Sequence, residues 1–564
     1  MKMPTWLLVA LSILVSASPL YASSYYVDPF SGNDNNDGSY SHPWKTLKAI
    51  QDHQSQFVNG DEIRLHRDGK WFPGMELANT DGTKGCNFVV PNGVIKIASY
   101  TASGYSGPGN IPEIWGTVSI NGNWTFAWDG YKNSGYIEHP TLGPWRQYGD
   151  TEIYYKILRA CPNQVWDDYQ MMTPVVTLAG ATSVSLERGE FTYIESQYVH
   201  VNLVAYDDCL FYRSFDGQPP SEHQVHASAM NLTGKNGLIE AHDVSNRCYL
   251  IDLKAIGAHW SGGYPAGIAV TGDCTLVQLI RCNLWRNSLG VQFLDRPWYN
   301  CMVKDSTIVD NYSRGIGIQG DIFRLEINNC YLDSNGRRRN YWPSGFSSSA
   351  DDDGIGIGQQ GCNATSILIT NCSIYNSGEI EDSDDAGGSG IYLGTTEPCD
   401  VNYIEISNCT IENSHAWGIQ ISLDGCKGGL IDNNVIRHNI NANKNRYHEA
   451  SKWYAPVRTG KCNFTNNIVE DNYSQFAGAN INHPVNATGN VIKNNKSAYN
   501  DASFPWWGEV VLENWNTSGT LDYNTLSGTA GSVLLKHSGL GSYYATQRLD
   551  YVNSSGNSAN DTWQ

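Results

Sequence analysis

The sequence has few charged residues, and the positive ones are the scarcer kind. Only 16% of its 564 residues are charged, and 37 Lys and Arg stand against 56 Asp and Glu, giving a net charge of −19. A nucleic-acid partner requires a basic surface that neutralises phosphates, so this balance excludes nucleic acid. It also disfavours a strongly anionic polymer unless local cations offset the field.

Metal-binding cysteine motifs and internal membrane spans are also missing. The sequence contains no Cys-x-x-Cys pair and no cluster of Cys with His, which argues against a zinc site. Beyond the N-terminus, no stretch is apolar over the length of a membrane span. We therefore predict a soluble mature protein, without a membrane as partner.

The N-terminus has the pattern of an export signal. Met1–Pro4 carries a Lys, Trp6–Val15 is apolar, and Leu20–Ala22 ends on a small residue. This order is typical of a secretory signal peptide. A membrane anchor is the alternative, although the apolar run is short for a span. We predict a signal peptide over residues 1–22 and a secreted or periplasmic protein.

A six-residue motif recurs eight times in the second half of the chain. Its first residue is small or polar, its third is Ile, Leu or Val, and its sixth is Asn or Ser. The other three positions accept any residue. A period of this kind, here near 24 residues, indicates a solenoid whose coils bury their apolar faces against one another. Three spacings are longer, which indicates inserted loops. The copies begin at Cys282, Ser306, Cys330, Cys372, Cys409, Asn434, Asn467 and Asn490.

The cysteines allow two interpretations. Fourteen Cys in an exported chain favour disulfides. Four of them, however, open copies of the motif and so share one position in successive coils. Stacked thiols that pack as small apolar side chains are the alternative.

A second strand follows each motif and begins at a Gly, as in Gly315 and Gly354. The first and third residues after this Gly are apolar and are predicted to point inward. The residue between them faces outward. Gly317 and Gly356 occupy this outward position, which predicts a shallow trough beside Tyr392 that suits a long polymer. The alternative is that these glycines only ease strand stacking.

The N-terminal segment carries a family resemblance. Tyr25–Gly38 and His42–Ala49 predict a strand, an Asx-rich turn and a short helix. This segment resembles the opening of many secreted bacterial right-handed parallel β-helix proteins that act on polysaccharides, where it forms the N-terminal cap. The resemblance implies an all-β fold, a right-handed parallel β-helix with a cap. Alternating apolar and polar residues between about 88 and 215 predict an inserted antiparallel β region.

These patterns divide the mature chain into four parts. Residues 23–98 are predicted to form the cap and first coils, and 99–222 the β-rich insertion. Residues 223–510 are predicted to form the β-helix with insertions on one face, and 511–564 the last coils and cap. The 18 Trp and 33 Tyr suit a polysaccharide partner, although large β proteins are rich in aromatic residues anyway. We predict a monomer.

Two of the inserted loops are acidic and lie on neighbouring coils. Coils of a parallel sheet stack about 4.8 Å apart, so their carboxylates can approach to the roughly 5–10 Å that glycoside hydrolysis uses. Solvated loops or a structural calcium site are the alternatives. No cofactor is required, although these oxygens offer ligands that Ca²⁺ accepts. The predicted catalytic residues are Asp352 or Asp353 with Asp384 or Asp385, and Glu379 and Glu381 as alternates.

Further side chains are predicted to lie near these loops. Arg314 occupies the same aligned position as Asp353, one coil away, and can meet an anionic substrate group or offset the acidic cluster. The aromatic and His residues can contact sugar rings and hydroxyls. The predicted substrate-binding residues are His259, Trp260, Arg314, Tyr392, His415 and Trp417.

Three functions remain compatible with this sequence. The Asp351–Asp353 run and the following strand resemble the catalytic Asp pair of polygalacturonase-type β-helix hydrolases, but the Gly-His-Gly of that group is absent. We therefore predict a glycoside hydrolase. A polysaccharide lyase is the alternative, although the Lys base of one lyase group of this fold is missing from the Asp353–Gly358 stretch. A non-catalytic adhesin or binding protein is the third.

Overall fold

The structure of the protein is a computed structural model that is almost entirely β. Its helices, among the described residues, are the α-helix Leu47–Asp52 and the 3-10 turns Gln54–Gln56 and Pro220–Glu222. None of the described helices is long and apolar enough to cross a membrane. The structure describes residues 22–73, 87–120, 127–128, 137–138, 146–148, 151–157, 164–175, 181, 183–194, 209–228, 236–245, 247–258, 265–294, 300–336, 353–378, 388–394, 399–422, 425–441, 456–474, 477–482, 486–497, 508–513, 521–522, 525–527, 535–538 and 558–559.

The eight copies of the six-residue motif supply eight of the 13 short strands of one sheet, which we call the motif row. Every pairing in it is parallel and joins equivalent residues of neighbouring coils, as in Ile308 with Leu332. The prediction that the motif marks stacked coils is therefore confirmed. Its strands are Lys70–Trp71, Glu113–Trp115, Lys254–Ile256, Asn283–Trp285, Thr307–Val309, Tyr331–Asp333, Ser373–Tyr375, Thr410–Glu412, Val435–Arg437, Ile468–Glu470, Val491–Lys493, Thr525–Ser527 and Ser558–Ala559.

The motif strands are short because, in most coils, a residue with a left-handed backbone conformation (positive φ) lies at each end of the strand. Asn371 and Asn376, for example, flank Ser373–Tyr375 with φ of 56° and 50°. Asn and Asp adopt this region more readily than other residues with side chains. The left-handed residues before the strands are Arg281, Asp305, Asn329, Asn371, Asn408, Asn433 and Asn466, and those after them are Arg286, Asp310, Ser334, Asn376, Asn413, His438, Asp471 and Asn494.

The other strands of the coils form one 24-stranded sheet. Some of its strands begin at or beside the glycines predicted from the sequence, and we call those strands the glycine row. The other strands of this sheet complete each coil. Two long strands, Ile316–Asn328 and Ile355–Thr370, run through both parts. The remaining strands are Ser24–Val27, Asp61–His66, Phe88–Val89, Val94–Tyr100, Gly237–His242, Arg247–Ile251, Ala266–Thr271, Leu276–Ile280, Leu289–Phe293, Cys301–Lys304, Ile391–Leu393, Cys399–Val401, Ile404–Ser407, Ile419–Ile421, Gly429–Asp432, Val457–Arg458, Cys462–Thr465, Ala477–Asn482, Ala487–Thr488, Gly508–Glu513, Leu521–Asp522 and Leu535–Ser538.

One apolar core runs along the inside of the coils. The central residue of the motif, such as Ile374 or Ile411, is fully buried in coil after coil. All 12 Cys among the described residues are buried and free of disulfides. The structure thus agrees with the interpretation in which stacked Cys act as small apolar side chains.

Between residues 117 and 228 most strand pairings become antiparallel. Two sheets of five and four strands and a two-stranded pair occupy this part of the chain, with separate cores that include Phe191 and Phe211. A further small parallel sheet joins Ile440–Asn441, Tyr473–Ser474 and Lys496–Ser497. The strands between 117 and 228 are Thr117–Ser119, Ala127–Trp128, Ile137–Glu138, Arg146–Gln147, Tyr154–Ile157, Val165–Asp167, Gln170–Met171, Thr173–Pro174, Glu190–Ile194, Cys209–Arg213 and Val225–Ser228.

Candidate functional site

Backbone hydrogen bonds align four side chains in one row along the coils. In three successive coils the Gly that opens the strand donates its N–H to the carbonyl of the residue before the Gly of the next coil, at 3.1, 2.8 and 2.8 Å. The sequence alignment of Arg314 with Asp353 on neighbouring coils is therefore confirmed. We call these residues the site row: Arg314, Asp353, Ser389 and Trp417.

Asp353 is a buried carboxylate fixed from both sides. It is 4% exposed, and its Oδ1 accepts the Ser389 backbone N–H at 2.9 Å. Its Oδ2 lies 3.8 Å from Nε of Arg314, and both side chains are 5% exposed. A charge pair shielded from water interacts more strongly than one on the surface. The carboxylate is thus held in one orientation beside a fixed positive charge.

The predicted trough at the glycines is wrong at Gly356. A Cβ built there would lie 2.7 Å from Cδ and Nε of Arg314 and 3.1 Å from Oδ2 of Asp353. A Cβ at Gly317 would meet Arg314 only at 3.9 Å. The glycine at 356 therefore provides room for the Arg314 side chain instead of leaving an open channel.

An aromatic pair lies on the next two coils. Tyr392 is the parallel-strand partner of Gly356, and its ring centroid lies 6.2 Å from that of Trp417 at an interplanar angle of 36°. Both side chains are half-buried. Aromatic rings with one face partly exposed offer apolar surface to a ligand. His415, two residues before Trp417, is also half-buried, and its backbone N–H donates to the carbonyl of Ser377 at 2.9 Å.

The outward side of the glycine row continues as a line of polar residues. Gln420 pairs in register with Tyr392, and Arg458 pairs with Gln420. Both are 8% exposed. Oε1 of Gln420 is buried and accepts no hydrogen bond from the described residues. The side chains of Gln420 and Arg458 are therefore buried from solvent. They extend the polar side chains of the site toward the C-terminal coils.

Ser389 and Arg458 were missed by the sequence patterns. Ser389 directly precedes Gly390, so the same alignment that identified Arg314 contained the signal for its place in the row. Arg458 follows Pro456 where the other coils have a Gly, and the missing Gly hid the repeat. The structure is needed to place Arg458 beside Gln420.

Five predicted site residues belong to this region: Asp353, Arg314, Tyr392, His415 and Trp417. The structure brings Asp353 and Arg314 into contact and pairs Tyr392 with Trp417. The other predicted residues lie outside the described residues, and they are Asp352, Glu379, Glu381, Asp384, Asp385, His259 and Trp260.

Comparisons with known proteins find similar solved structures but no matching family model and no matching curated protein. A structure titled "Glycoside hydrolase" is 10% identical, with 96% of each chain covered and a TM-score of 0.39. One titled "The complex structure of XylC with xylose" is 10% identical over 96% of this chain and 83% of that one, with a TM-score of 0.42. A "Rhamnogalacturonan lyase" is 11% identical over 79% and 87%, with a TM-score of 0.28. At these values the likeness does not assign an activity.

Proposed function

We propose that the protein is a secreted, monomeric carbohydrate-active enzyme built on a right-handed parallel β-helix. Crossover connections between parallel strands are right-handed in about 98% of cases, which supports this hand for the stacked coils. Residues 23–98 act as cap and first coils, 99–222 as an insertion, 223–510 as the catalytic β-helix and 511–564 as its C-terminal end. The activity requires no cofactor.

The proposed reaction is hydrolysis of a glycosidic bond in a polysaccharide. The observation that carries it is the buried carboxylate of Asp353, fixed by a backbone N–H and lying beside Arg314, one coil from an aromatic residue. Glycoside hydrolysis uses two carboxylates that flank the scissile bond. Asp353 supplies one of them, and Asp384 or Asp385 of the neighbouring inserted loop, with Glu379 and Glu381 as alternates, supplies the other.

The remaining side chains of the site have supporting roles in this proposal. Tyr392 and Trp417 stack on sugar rings, and His415 hydrogen-bonds a hydroxyl. The positive charge of the Arg314 guanidinium lies beside the carboxylate of Asp353 and balances its negative charge. A proton is held or released at Oδ2 of Asp353, because its Oδ1 already accepts the backbone N–H of Ser389.

A polysaccharide lyase is the second candidate, and the Arg314–Asp353 contact favours it. A lyase needs a base beside the uronate and a cation that stabilises the charge developing on its carboxylate. Arg314 can provide the cation, and Asp353 can accept the proton. Both proposals therefore use the same two residues but leave different products.

The test is an assay of the purified protein on a panel of neutral and uronate-containing polysaccharides. We expect new reducing ends without absorbance near 235 nm; unsaturated ends that absorb there would replace the hydrolase proposal by the lyase. Absence of both products across the panel, with folded protein, would contradict an enzyme. Asp353→Asn should lower turnover by about 10²–10⁴-fold, whereas Asp321→Asn, at an exposed carboxylate, should not.

A further inference from the structure

Three potential metal ligands converge outside the candidate site, in the antiparallel part of the chain. Asp167 ends the strand Val165–Asp167, and Asp168 turns directly after it with a φ of 47°. His223 follows the 3-10 turn Pro220–Glu222. One ligand atom from each residue lies within 4.8 Å of the other two. Two chain segments 55 residues apart in sequence thus meet at one point.

Both carboxylates are oriented by backbone donors. The Phe215 N–H reaches Oδ2 of Asp167 at 3.3 Å, and the Gln224 N–H reaches Oδ1 of Asp168 at 2.8 Å. Each carboxylate therefore has one oxygen held by the backbone and one directed to His223. These second oxygens lie 3.1 Å (Asp167) and 2.8 Å (Asp168) from Nδ1 of the imidazole.

The other nitrogen of His223 has its own acceptor. Nε2 lies 3.1 Å from Oδ1 of Asp216, and Asp216 is itself held by the Gln218 N–H at 2.9 Å and the Ser214 hydroxyl at 3.1 Å. A proton on Nε2 leaves the lone pair of Nδ1 facing two carboxylate oxygens. Three electron-rich atoms at this separation repel one another unless a proton on Nδ1 or a metal ion lies between them. Metal-ligating His residues commonly donate their second N–H to such a carboxylate.

The burial of Asp167 is an independent sign of a ligand. Its side chain is 2% exposed, and Oδ1 is buried without a hydrogen bond of ordinary geometry from the described residues. A buried carboxylate oxygen costs free energy unless it is paired or coordinates a metal. Oδ1 is the oxygen that lies 3.1 Å from Nδ1 of His223, so this buried atom belongs to the convergent set.

We propose that Asp167, Asp168 and His223 bind one divalent first-row transition-metal ion of the Zn²⁺ type. Imidazole nitrogen with carboxylate oxygen suits such ions better than the hard cations Ca²⁺ and Mg²⁺, which prefer oxygen alone. Bond lengths near 2.0–2.2 Å in a tetrahedral site place ligand atoms about 3.3 Å apart, and a small expansion of the present distances reaches that value. Water completes the coordination. The ion joins the turn at Asp168 to the segment that contains Asp216 and His223.

The full-length protein, stripped with a chelator and dialysed at pH 7.5, is titrated with ZnCl₂ in a calorimeter. We expect one ion per chain. His223→Gln should weaken binding at least 100-fold, and Asp216→Asn about 10–100-fold, since outer-sphere partners of metal ligands have effects of that size. His242→Gln is the matched control, because His242 is exposed and lies 3.2 Å from a single carboxylate, Asp243; binding should not change.

Co²⁺ provides a readout that does not depend on stability. It should give a visible d–d absorbance that His223→Gln abolishes and His242→Gln retains. If His223→Gln does not fold, Asp168→Asn carries the test, because Asn keeps an oxygen for the Gln224 N–H while removing the charge.

Three results would overturn the proposal. Absence of Zn²⁺ binding would leave a protonated His223 as the cation of this cluster. Equal binding by the variants and the native protein would move the ion elsewhere, and a response to Ca²⁺ or Mg²⁺ alone would contradict the ligand chemistry. The outcome is independent of the proposed enzyme activity.

Discussion

Two coils of the candidate site, those of Ser389 and Trp417, differ from the coils after them in the residues that fill the same buried positions. In the later coils an Asn stands at each end of the motif, and each Asn side chain donates to the next one, at 2.8 to 3.1 Å. In the two coils that lead to Ser389 and Trp417, Cys replaces the first Asn and Ser replaces the last. The Asn ladders are Asn434, Asn467 and Asn490, and Asn439, Asn472 and Asn495; the replacements are Cys372, Cys409, Ser377 and Ser414.

At Ser377 and Ser414 the described part of the solenoid lacks the side-chain hydrogen bonds that Asn makes at the same position of the later coils. Ser377 and Ser414 are fully buried, and their hydroxyls make no hydrogen bond with the described residues. The acidic insertion at 379–385 directly follows Ser377, and Asp353 and Trp417 lie on the same coils or the adjoining one. The ladder resumes at Asn439, which accepts the Ser414 N–H at 2.9 Å. The interruption therefore lies on the coils of Ser389 and Trp417, whereas the coils of Arg314 and Asp353 keep a ladder in which Asn311 donates to Asn335 at 2.8 Å.

Breaking the intact ladder should have the largest effect on stability. Asn467 accepts two hydrogen bonds from Asn434 and donates to Ile431 and Asn490. Asn467→Ala leaves several of these partners buried and unpaired, at a cost of about 3 kcal/mol. Urea unfolding measures the change. A loss no greater than that of Ser414→Ala would contradict the contrast between the two sets of coils.

Within the site coils, two glycines on the same strand face provide a matched pair of variants. In Gly356→Ala the new methyl displaces Arg314 from Asp353, and a displacement near 1 Å can lower turnover about 100-fold. In Gly317→Ala the methyl meets only ordinary contacts and should leave turnover nearly unchanged. Turnover of the polymer cleaved by the native protein distinguishes them. An equal loss of turnover in the two variants would show that the position of the Arg314 side chain over Gly356 does not matter for activity.

His226, outside the coils, is another buried group without hydrogen bonds among the described residues. Neither ring nitrogen has a hydrogen-bond partner among the described residues, and the ring stacks on Phe72 at 5.0 Å. Burial, reinforced by the charge of Lys70, lowers the pKa of His226 to about 4. The unfolded chain binds a proton below about pH 6.5 and the folded one does not until about pH 4, so stability falls as pH decreases between these values.

His226→Phe should remove that dependence. Relative to the native protein, we expect it to reduce the loss of unfolding free energy between pH 7 and pH 5 by about 2 kcal/mol. Urea midpoints at both pH values measure it. His242→Gln, at an exposed position, should leave the dependence intact. An unchanged pH profile for His226→Phe would show that His226 is already charged in the folded protein.

The smallest effect is expected at Ser414. Its hydroxyl is buried without a partner among the described residues, so Ser414→Ala removes a polar atom that has lost its hydration. The variant should be neutral or more stable by up to about 1 kcal/mol. Urea unfolding measures it beside Asn467→Ala. A clear destabilisation would mean that the hydroxyl is paired in solution.

Much of the coil arrangement could be predicted because parallel stacking converts sequence spacing directly into spatial alignment. The motif and the Gly-led strand placed Arg314 and Asp353 on neighbouring coils, and the structure confirms this. The open trough at Gly356 was wrong, since the path of a long Arg side chain is not determined by the strand period. Asp167 and His223 belong to no repeat, so no pattern signalled that they meet.

Local rules were enough to specify the repeat, the inward residues and the row in which the candidate catalytic side chains stand. Those rules are alternation along strands, left-handed Asn and Asp at the bends, and one residue position per coil. Only the folded structure shows which buried polar groups have hydrogen-bond partners. The fold placed Arg314 over Gly356 and interrupted the ladder at Ser377 and Ser414, because those outcomes depend on side chains from different coils competing for the same space.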